Sequence, residues 1–289
     1  MKEYQIIKMN DFSNEKINQI RMLEELCKVY DNSSLRVGIE SLKEIDGDHA
    51  FLCHHEDQLV GFLSWYSSDG MEANINSMVH PHSRRSGVFR ELLQRATAEM
   101  QMQGIRTCRF RIPSNSESGI NCITHLGASF SSSEFSMTFK GIEDRELCVG
   151  DVNLRLAEEQ DLEFMITCLS EAFGDSESWT REYLSHTKES SRITYIAMDR
   201  LTPLGMIRVN CLHTNTAIIH DFCVLPAFQG RGYGREILSK VVKFLQNQEY
   251  FPIRLSVVTQ NRLALSLYQS IGFGVSAESL YYVIPIDNI

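Results

Sequence analysis

No stretch of this chain is apolar for the length of a membrane span, which excludes a spanning helix. No Cys-x-x-Cys pair occurs. The eight cysteines stand singly at 27, 53, 108, 122, 148, 168, 211 and 223, several of them in apolar patterns. That spacing excludes a zinc ribbon or a dithiol redox motif and reads as reduced core thiols in a cytoplasmic protein. Positive charge is scarce: 28 Lys and Arg against 37 Asp and Glu give a net charge of −9, which argues against nucleic acid as a partner. Met1-Lys2-Glu3-Tyr4-Gln5 has no signal-peptide pattern. His49, His54, His55, His80, His82 and His125 crowd the first half, but they lack ligand spacing and no cysteine pair joins them, so no metal is expected. The remaining composition, 43% hydrophobic and 22% charged over 289 residues, is globular and long enough for two domains.

What is present is a glycine turn. Gln229-Gly230-Arg231-Gly232-Tyr233-Gly234 stands between a strand pattern, Ala217 to Val224, and a helix pattern, Arg235 to Asn247. In the latter, Ile237, Leu238, Val241, Val242 and Leu245 recur at helical spacing. A strand that turns through glycines into a helix aims free N–H groups and the positive end of the helix dipole at one point, a site for phosphate or pyrophosphate. A P-loop would end in Gly-Lys-Ser/Thr, which is missing. A dinucleotide fingerprint would read G-x-G-x-x-G, where this turn reads G-x-G-x-G.

Residues 229–234 do match Gln/Arg-x-x-Gly-x-Gly/Ala throughout, and Asn261, Tyr268 and Gly272-Phe273 follow with N-x₆-Y…GF spacing. In these features the chain resembles the GNAT superfamily of N-acetyltransferases. It also repeats itself. Val79 to Leu93 lies over Val224 to Leu238 at an offset of 232 − 87 = 145, and the same offset carries Pro81 onto Pro226, Glu91 onto Glu236 and Gly127 onto Gly272. A period this long means two copies of one domain. Each copy has an early helix (Ile17 to Tyr30; Glu159 to Phe173). Three strands follow (Ala50–Cys53, Leu59–Tyr66, Ala73–Val79; Ile193–Met198, Leu204–Cys211, Ala217–Val224), then loop and helix. A strand (Thr107–Ile112; Ile253–Val258), a helix and a last strand (Glu134–Phe139; Leu280–Ile286) complete the copy. The resemblance implies an α/β fold class with an α+β mixed sheet, splayed at its centre, as two tandem GNAT folds: a degenerate N-terminal domain over 1–141 and a catalytic C-terminal domain over 150–289. A polar linker runs near Gly141 to Asp151.

The resemblance further implies acetyl-CoA as cosubstrate and a primary amine, on a small molecule or a peptide, as acceptor, with no nucleic acid and no membrane involved. Backbone N–H groups from Gly230 to Arg235 are expected at the pyrophosphate, with Arg231 and Arg235 either adding charge or simply solvated. Gly232 and Gly234 are expected to permit positive φ and close approach. Gln229 and Tyr233 complete the motif, and the backbone of Phe222, Cys223 and Val224 is expected to pair with the pantetheine arm. Tyr268 takes the position of the family's general acid; a core tyrosine is its structural alternative. Asn261 is expected to contact the arm, or to cap a helix, or both. The base stays open among Asp221, ranked first, His220, and a water; if strand sides alternate, only one of the two side chains faces the cleft. Glu171, Asp175 and Glu177, on a loop reaching Trp179, are acceptor-side candidates, each also readable as a solvated acid. An idle acyl-CoA-binding protein, or an enzyme using a longer acyl-CoA, are the other readings.

The first copy departs from the pattern. Phe89 stands where the second has Gly234, and it either blocks the turn or reshapes it. Asn261 falls on Ser116 and Tyr268 on Ile123, which has no proton to give. The first copy is expected to be non-catalytic, either binding acetyl-CoA through Ser86 to Arg90 or only supporting its neighbour. Arg106, Arg109 and Arg111 alternate on a strand and read first as a solvated face.

Overall fold

The computed structural model describes residues 4–39, 42, 49–141, 151–188, 190–212 and 215–289. The linker expected at 141–151 lies almost wholly outside the described residues, as does Cys148. The chain divides into two compact units, Met1–Ser133 with Ala277–Ile289, and Glu134–Ser276.

Unit 1 carries β1 (Tyr4–Lys8), α1 (Asn14–Asp31), β2 (His49–His55), β3 (Gln58–Tyr66), β4 (Glu72–Val79), α2 (Val88–Met102), β5 (Thr107–Pro113), α3 (Glu117–Leu126) and the main part of β12 (Phe273–Pro285). Its sheet runs β1-β2-β3-β4-β5-β12, antiparallel except for the parallel pair β4/β5. Unit 2 carries most of β6 (Ser129–Phe139), then β7 (Val152–Leu156), α4 (Leu162–Phe173), α5 (Glu177–His186), β8 (Arg192–Asp199), β9 (Thr202–Cys211), β10 (Ala217–Val224), α6 (Tyr233–Asn247), β11 (Ile253–Val258) and α7 (Arg262–Ser270). Its order is β6-β11-β10-β9-β8-β7, with β10/β11 the one parallel pair. The mixed α/β class and the tandem repetition thus hold. Among the described residues no helix is long and apolar enough to cross a membrane.

The cores follow the periodicities. Ile237, Leu238, Val241, Val242 and Leu245 of α6 are all at most 1% exposed, against Leu204, Val209, Ile219 and Leu255 of the sheet. Each such burial stabilises the unit by about 1.5–3 kcal/mol before chain entropy is set against it. The first turn of α6 is fixed from two sides. Glu236 accepts from the Val152 N–H at 2.8 Å, and the Tyr233 hydroxyl donates to Asp199 at 3.2 Å.

Several elements differ from the sequence expectation. The expected acidic loop Glu171–Trp179 is mostly helix: α4 runs to Phe173, Gly174 closes it in the left-handed region, and Ser176 caps α5 by accepting from the Trp179 N–H. Arg109 and Arg111 are not a solvated face. In unit 1 the last strand returns to pair with β5, so Arg109 lies 4.3 Å over the Tyr281 ring and Arg111 donates to Ser279 at 3.1 Å; Arg106 is exposed. The seven described cysteines are free, and Cys122 is exposed.

Candidate active site

In unit 2 the parallel pairing of β10 with β11 covers only Ala217–Ile219 against Ile253–Leu255. Beyond Ile219 the two strands part, and the β11-facing edge of β10 from His220 onward has no ladder partner. The side chains of Phe222 and Val224 pack into the core, and the Cys223 thiol lies 3.3 Å from that of Cys168. These three residues therefore offer the gap their backbone. Burial and the neighbouring Cys168 thiol hold the Cys223 thiol well above its ordinary range, so it stays protonated; the hydrogen bond to Cys168 is the largest cause.

The glycine turn closes the end of the gap. Gly230 and Gly232 have φ of +74° and +87°, left-handed values that a side chain resists, and Gly232 is the N-cap of α6. Gly234 is not at positive φ. It is the second residue of α6, where a Cβ would stand 3.3 Å from Leu267 and 3.7 Å from Phe222, so its smallness serves close packing. The Gln229 amide donates to the Val224 carbonyl at 2.9 Å and staples the turn to the end of β10. Arg231 and Arg235 are exposed, with Arg231 5.7 Å over the Phe228 ring. Asn261 caps α7 by accepting from the Ala264 N–H at 3.1 Å.

Tyr268 projects from α7 and is 9% exposed. Burial, aided by the Cys223 thiol, raises its phenol to about 12, so it is protonated at any working pH. No protein group among the described residues takes its hydroxyl.

The base candidates sit together because β10 carries a bulge. Register runs Val224↔Gly205 and Cys223↔Met206, then shifts to His220↔Arg208. Asp221 and Phe222 thus oppose the single residue Ile207, and Asp221 has φ +43°. Directly opposed residues share a face, which places His220 beside Arg208. Arg208, 3% exposed, donates to Asp221 at 2.9 Å, and the Tyr183 hydroxyl of α5 donates to the same carboxylate at 3.1 Å. Both candidates therefore lie on the α5 side. The alternation that would have chosen between them is broken at this point. Burial lowers His220 to about 4; Asp221 opposes that shift, and Arg192 and Arg208 add to it.

That shift has a measurable sign. His220 takes up its proton in the unfolded chain near 6.5 but in the folded one only near 4. Its neutral form is compatible with full stability above pH 6.5, and stability is lost as pH falls toward 4, by on the order of 3 kcal/mol for this group. Thermal unfolding of His220→Gln should fall less between pH 6.5 and 4 than that of the wild type. Parallel curves would refute the assignment.

The acceptor-side carboxylates are less assembled. Glu171 lies in the last turn of α4, Asp175 lies in the two-helix turn and Glu177 starts α5; all three are exposed. In the same region Trp179 and Tyr183 stack 5.2 Å apart at 5°, and Arg181 grips Glu163 at 2.8 and 2.9 Å. Sequence reasoning missed both Tyr183 and Arg208. Arg208 is the single charged residue of β9, but nothing in the linear sequence pairs it with Asp221 or with Tyr183 of α5.

Unit 1 keeps the architecture but has Ile123 at the place of Tyr268. β4 and β5 pair only from Glu72 to Ile75 and then part. Arg85 and Gly87 take the left-handed φ values of Gly230 and Gly232, +58° and +91°. Arg84 occupies the place of Gln229 and donates likewise to the last strand carbonyl, Val79, at 3.1 Å, while its fork grips Asp31 at 2.7 Å. Phe89 does not fill the turn; its ring packs inward, 6.5 Å from Phe110. A cavity of about 1110 Å³ opens there, bordered by Arg84, Arg90, Arg111, Ile123 and His125. This roomy cavity and the candidate acid Tyr268 thus belong to different units.

Residues 155–273 match the family described as Acetyltransferase (GNAT) family. Over 70 residues the chain is 33% identical to a [ribosomal protein bS18]-alanine N-acetyltransferase of Haemophilus ducreyi, covering 24% of this chain and 48% of that protein. Over 55 residues it is 42% identical to the N-alpha-acetyltransferase RimI of Mycobacterium tuberculosis, covering 19% and 33%. The chain spans about half or less of the length of these curated relatives. Among solved structures, a GCN5-related N-acetyltransferase from Sphaerobacter thermophilus superposes with a TM-score of 0.80 at 17% identity, over 98% of this chain and 96% of that one. A tandem GNAT protein from the clavulanic acid biosynthesis pathway superposes with a TM-score of 0.72 at 14% identity, over 98% and 99%. At these identities the likeness is one of fold.

Proposed function

From a chain whose residues 155–273 form a GNAT acetyltransferase domain, within a fold of two such domains in tandem, we propose an N-acetyltransferase that works through unit 2, uses acetyl-CoA and acylates a primary amine. The observation that carries this reading is the gap between β10 and β11, ended by the glycine turn and flanked by Tyr268. The site fits the cosubstrate by its chemistry: a bare strand edge for an amide-bearing arm, and N–H groups at a helix start for a pyrophosphate.

Acetyl-CoA supplies the acyl group as a thioester. A C–N bond forms to the amine and the C–S bond breaks. His220, neutral at working pH, takes the proton the amine loses. Tyr268 gives its hydroxyl proton to the departing sulfur, and solvent returns the proton held by His220 to Tyr268. The backbone of Phe222 to Val224 lines the arm, and the N–H groups of Gly230 to Arg235 receive the pyrophosphate. Asn261 holds the start of α7, and so the place of Tyr268. Glu171, Asp175 and Glu177 put negative charge near the acceptor side. The names of the curated relatives make a peptide α-amine the first acceptor class to try. The free thiols suit a reducing compartment such as the cytoplasm.

Calorimetric titration with acetyl-CoA, paired with thiol release in the presence of a peptide with an N-terminal alanine and of small primary amines, tests the reading. One site per chain, abolished by Gly234→Trp, and thiol release that requires an amine are expected. A second site that survives Gly234→Trp would assign the unit 1 cavity a ligand of its own. Folded protein that binds no acetyl-CoA would remove the proposal.

A further inference from the structure

The two units provide an internal comparison at the site. Pairing registers equate Gly61 with Gly205 and Ser64 with Arg208, an offset of 144, and Ser64↔Asn76 with Arg208↔His220, again 144. From Ser77 and Phe222 onward the offset on β4/β10 is 145, as 79 + 145 = 224 for the strand ends. One residue has been added to β10 relative to β4, and it is Asp221. The β3/β4 register runs without a shift from Gly61↔Val79 to Tyr66↔Asn74, so unit 1 has no bulge.

The parting of the parallel strands does not need that extra residue. β4 and β5 separate after Ile75↔Phe110, at the place equivalent to Ile219↔Leu255, with no bulge. What the bulge changes is which side chains share a face. It puts His220 and Asp221 together on the α5 side, where an unbroken strand would send the next side chain to the opposite face. The unit that has the bulge is also the one with an imidazole at 220 and a phenol at 268; the unit without it has Asn76 and Ile123 at those places.

Resting on the acetyl-transfer reading, we propose that Asp221 is a positioning residue, an inserted anchor whose carboxylate, gripped by Arg208 and Tyr183, holds the bulge and thereby sets His220 at the acceptor side of the gap. The Asp221 carboxylate already accepts from a buried guanidinium at 2.9 Å and a phenol at 3.1 Å. The same geometry makes it a good fastener. Arg208 is fixed in turn by the Thr187 carbonyl at 2.9 Å and hydroxyl at 3.0 Å, at the end of α5. The charged and titratable groups around His220 are Asp221, Arg192 and Arg208.

Three variants of the full chain decide this, each read by kcat, by KM for the amine, by the Kd of acetyl-CoA and by the imidazole NMR titration of His220. Asp221→Asn keeps both hydrogen-bond partners; its kcat is expected within about tenfold of wild type, with the His220 midpoint moved down as the anionic neighbour is lost. Deletion of Asp221 rebuilds the regular strand of unit 1; kcat is expected to fall more than 100-fold while acetyl-CoA still binds within threefold. Tyr183→Phe removes one fastener without a charge and covers the case in which the deletion does not fold; kcat should fall 5- to 20-fold at constant acetyl-CoA affinity. A loss in Asp221→Asn as large as in the deletion would make Asp221 the base itself. Full activity in the deletion, or in Tyr183→Phe, would also overturn the anchor. A wild type with no acetyl transfer would instead overturn the functional reading beneath it.

Discussion

Tyr268→Phe is expected to lower kcat by roughly 10²–10⁴-fold, the usual contribution of a positioned acid or base, while the Kd of acetyl-CoA changes little. The Tyr268 side chain is 9% exposed, donates to no protein group among the described residues, and packs edge-on to Phe273 at 6.4 Å. Phenylalanine fills nearly the same volume, so the core should tolerate the change and thermal unfolding should move by only a degree or two. Because burial keeps the hydroxyl protonated up to about 12, the wild-type rate should show no loss of this acid on the alkaline side below pH 10. The measurement is thiol release at saturating acetyl-CoA, with calorimetry as the binding control. Unchanged turnover would return Tyr268 to the role of a core side chain.

Gly205→Ala is expected to be far more damaging to the fold than its size suggests. Gly205 lies opposite Val224, just past the bulge. An added Cβ would run into the Cys223 carbonyl oxygen and stand 2.9 Å from the Val224 Cα, both backbone atoms that cannot rotate away. The cost is about 3 kcal/mol, the upper end for overpacking, which lowers the melting temperature by roughly 6–10 °C in a chain of this size. The equivalent Gly61 provides a control. There a Cβ would meet the side-chain atoms Val88 Cγ1 at 2.7 Å and Leu92 Cδ1 at 3.0 Å, which can shift. Gly61→Ala should lose less than half as much. Since the displaced backbone is the edge proposed to receive the pantetheine arm, Gly205→Ala should also weaken acetyl-CoA binding by at least tenfold where the protein still folds. Equal melting temperatures for the two alanine variants would show that β10 is free to move.

Much of this was legible in the sequence where a motif coincides with an element. The strands Ala217–Val224 and Ile253–Val258 have the expected bounds, and the glycine turn and the Asn261 cap stand where their residue types put them. The losses have separate physical causes. β1 and β7 are five-residue edge strands, too short for a period to declare itself. β6 begins at Ser129 in a run of serines whose strand conformation comes from pairing rather than propensity. α5 was obscured by a polar start, Ser176-Glu177-Ser178, that also reads as a loop. The bulge was hidden by the repeat itself. The 145-residue offset holds on both sides of the glycine turn, and the change to 144 shows only when each strand is read against its partner. For the same reason Arg208 and Tyr183 carry no linear signal. They matter because a cross-strand register and a helix packed on it bring them to Asp221.

The composition of the two units bears on how such a chain can evolve. After a duplication, a copy that has lost its chemistry is ordinarily free to decay or be deleted. Here unit 1 is completed by residues 277–289 and unit 2 by residues 134–139, each taken from the far side of the linker. A deletion of the first half would strip unit 2 of the strand on the outer edge of β11, and a stop codon after the linker would leave β5 uncovered. A first copy without the proposed chemistry is therefore still held in the gene, because each unit needs a strand from the other half of the chain to fold.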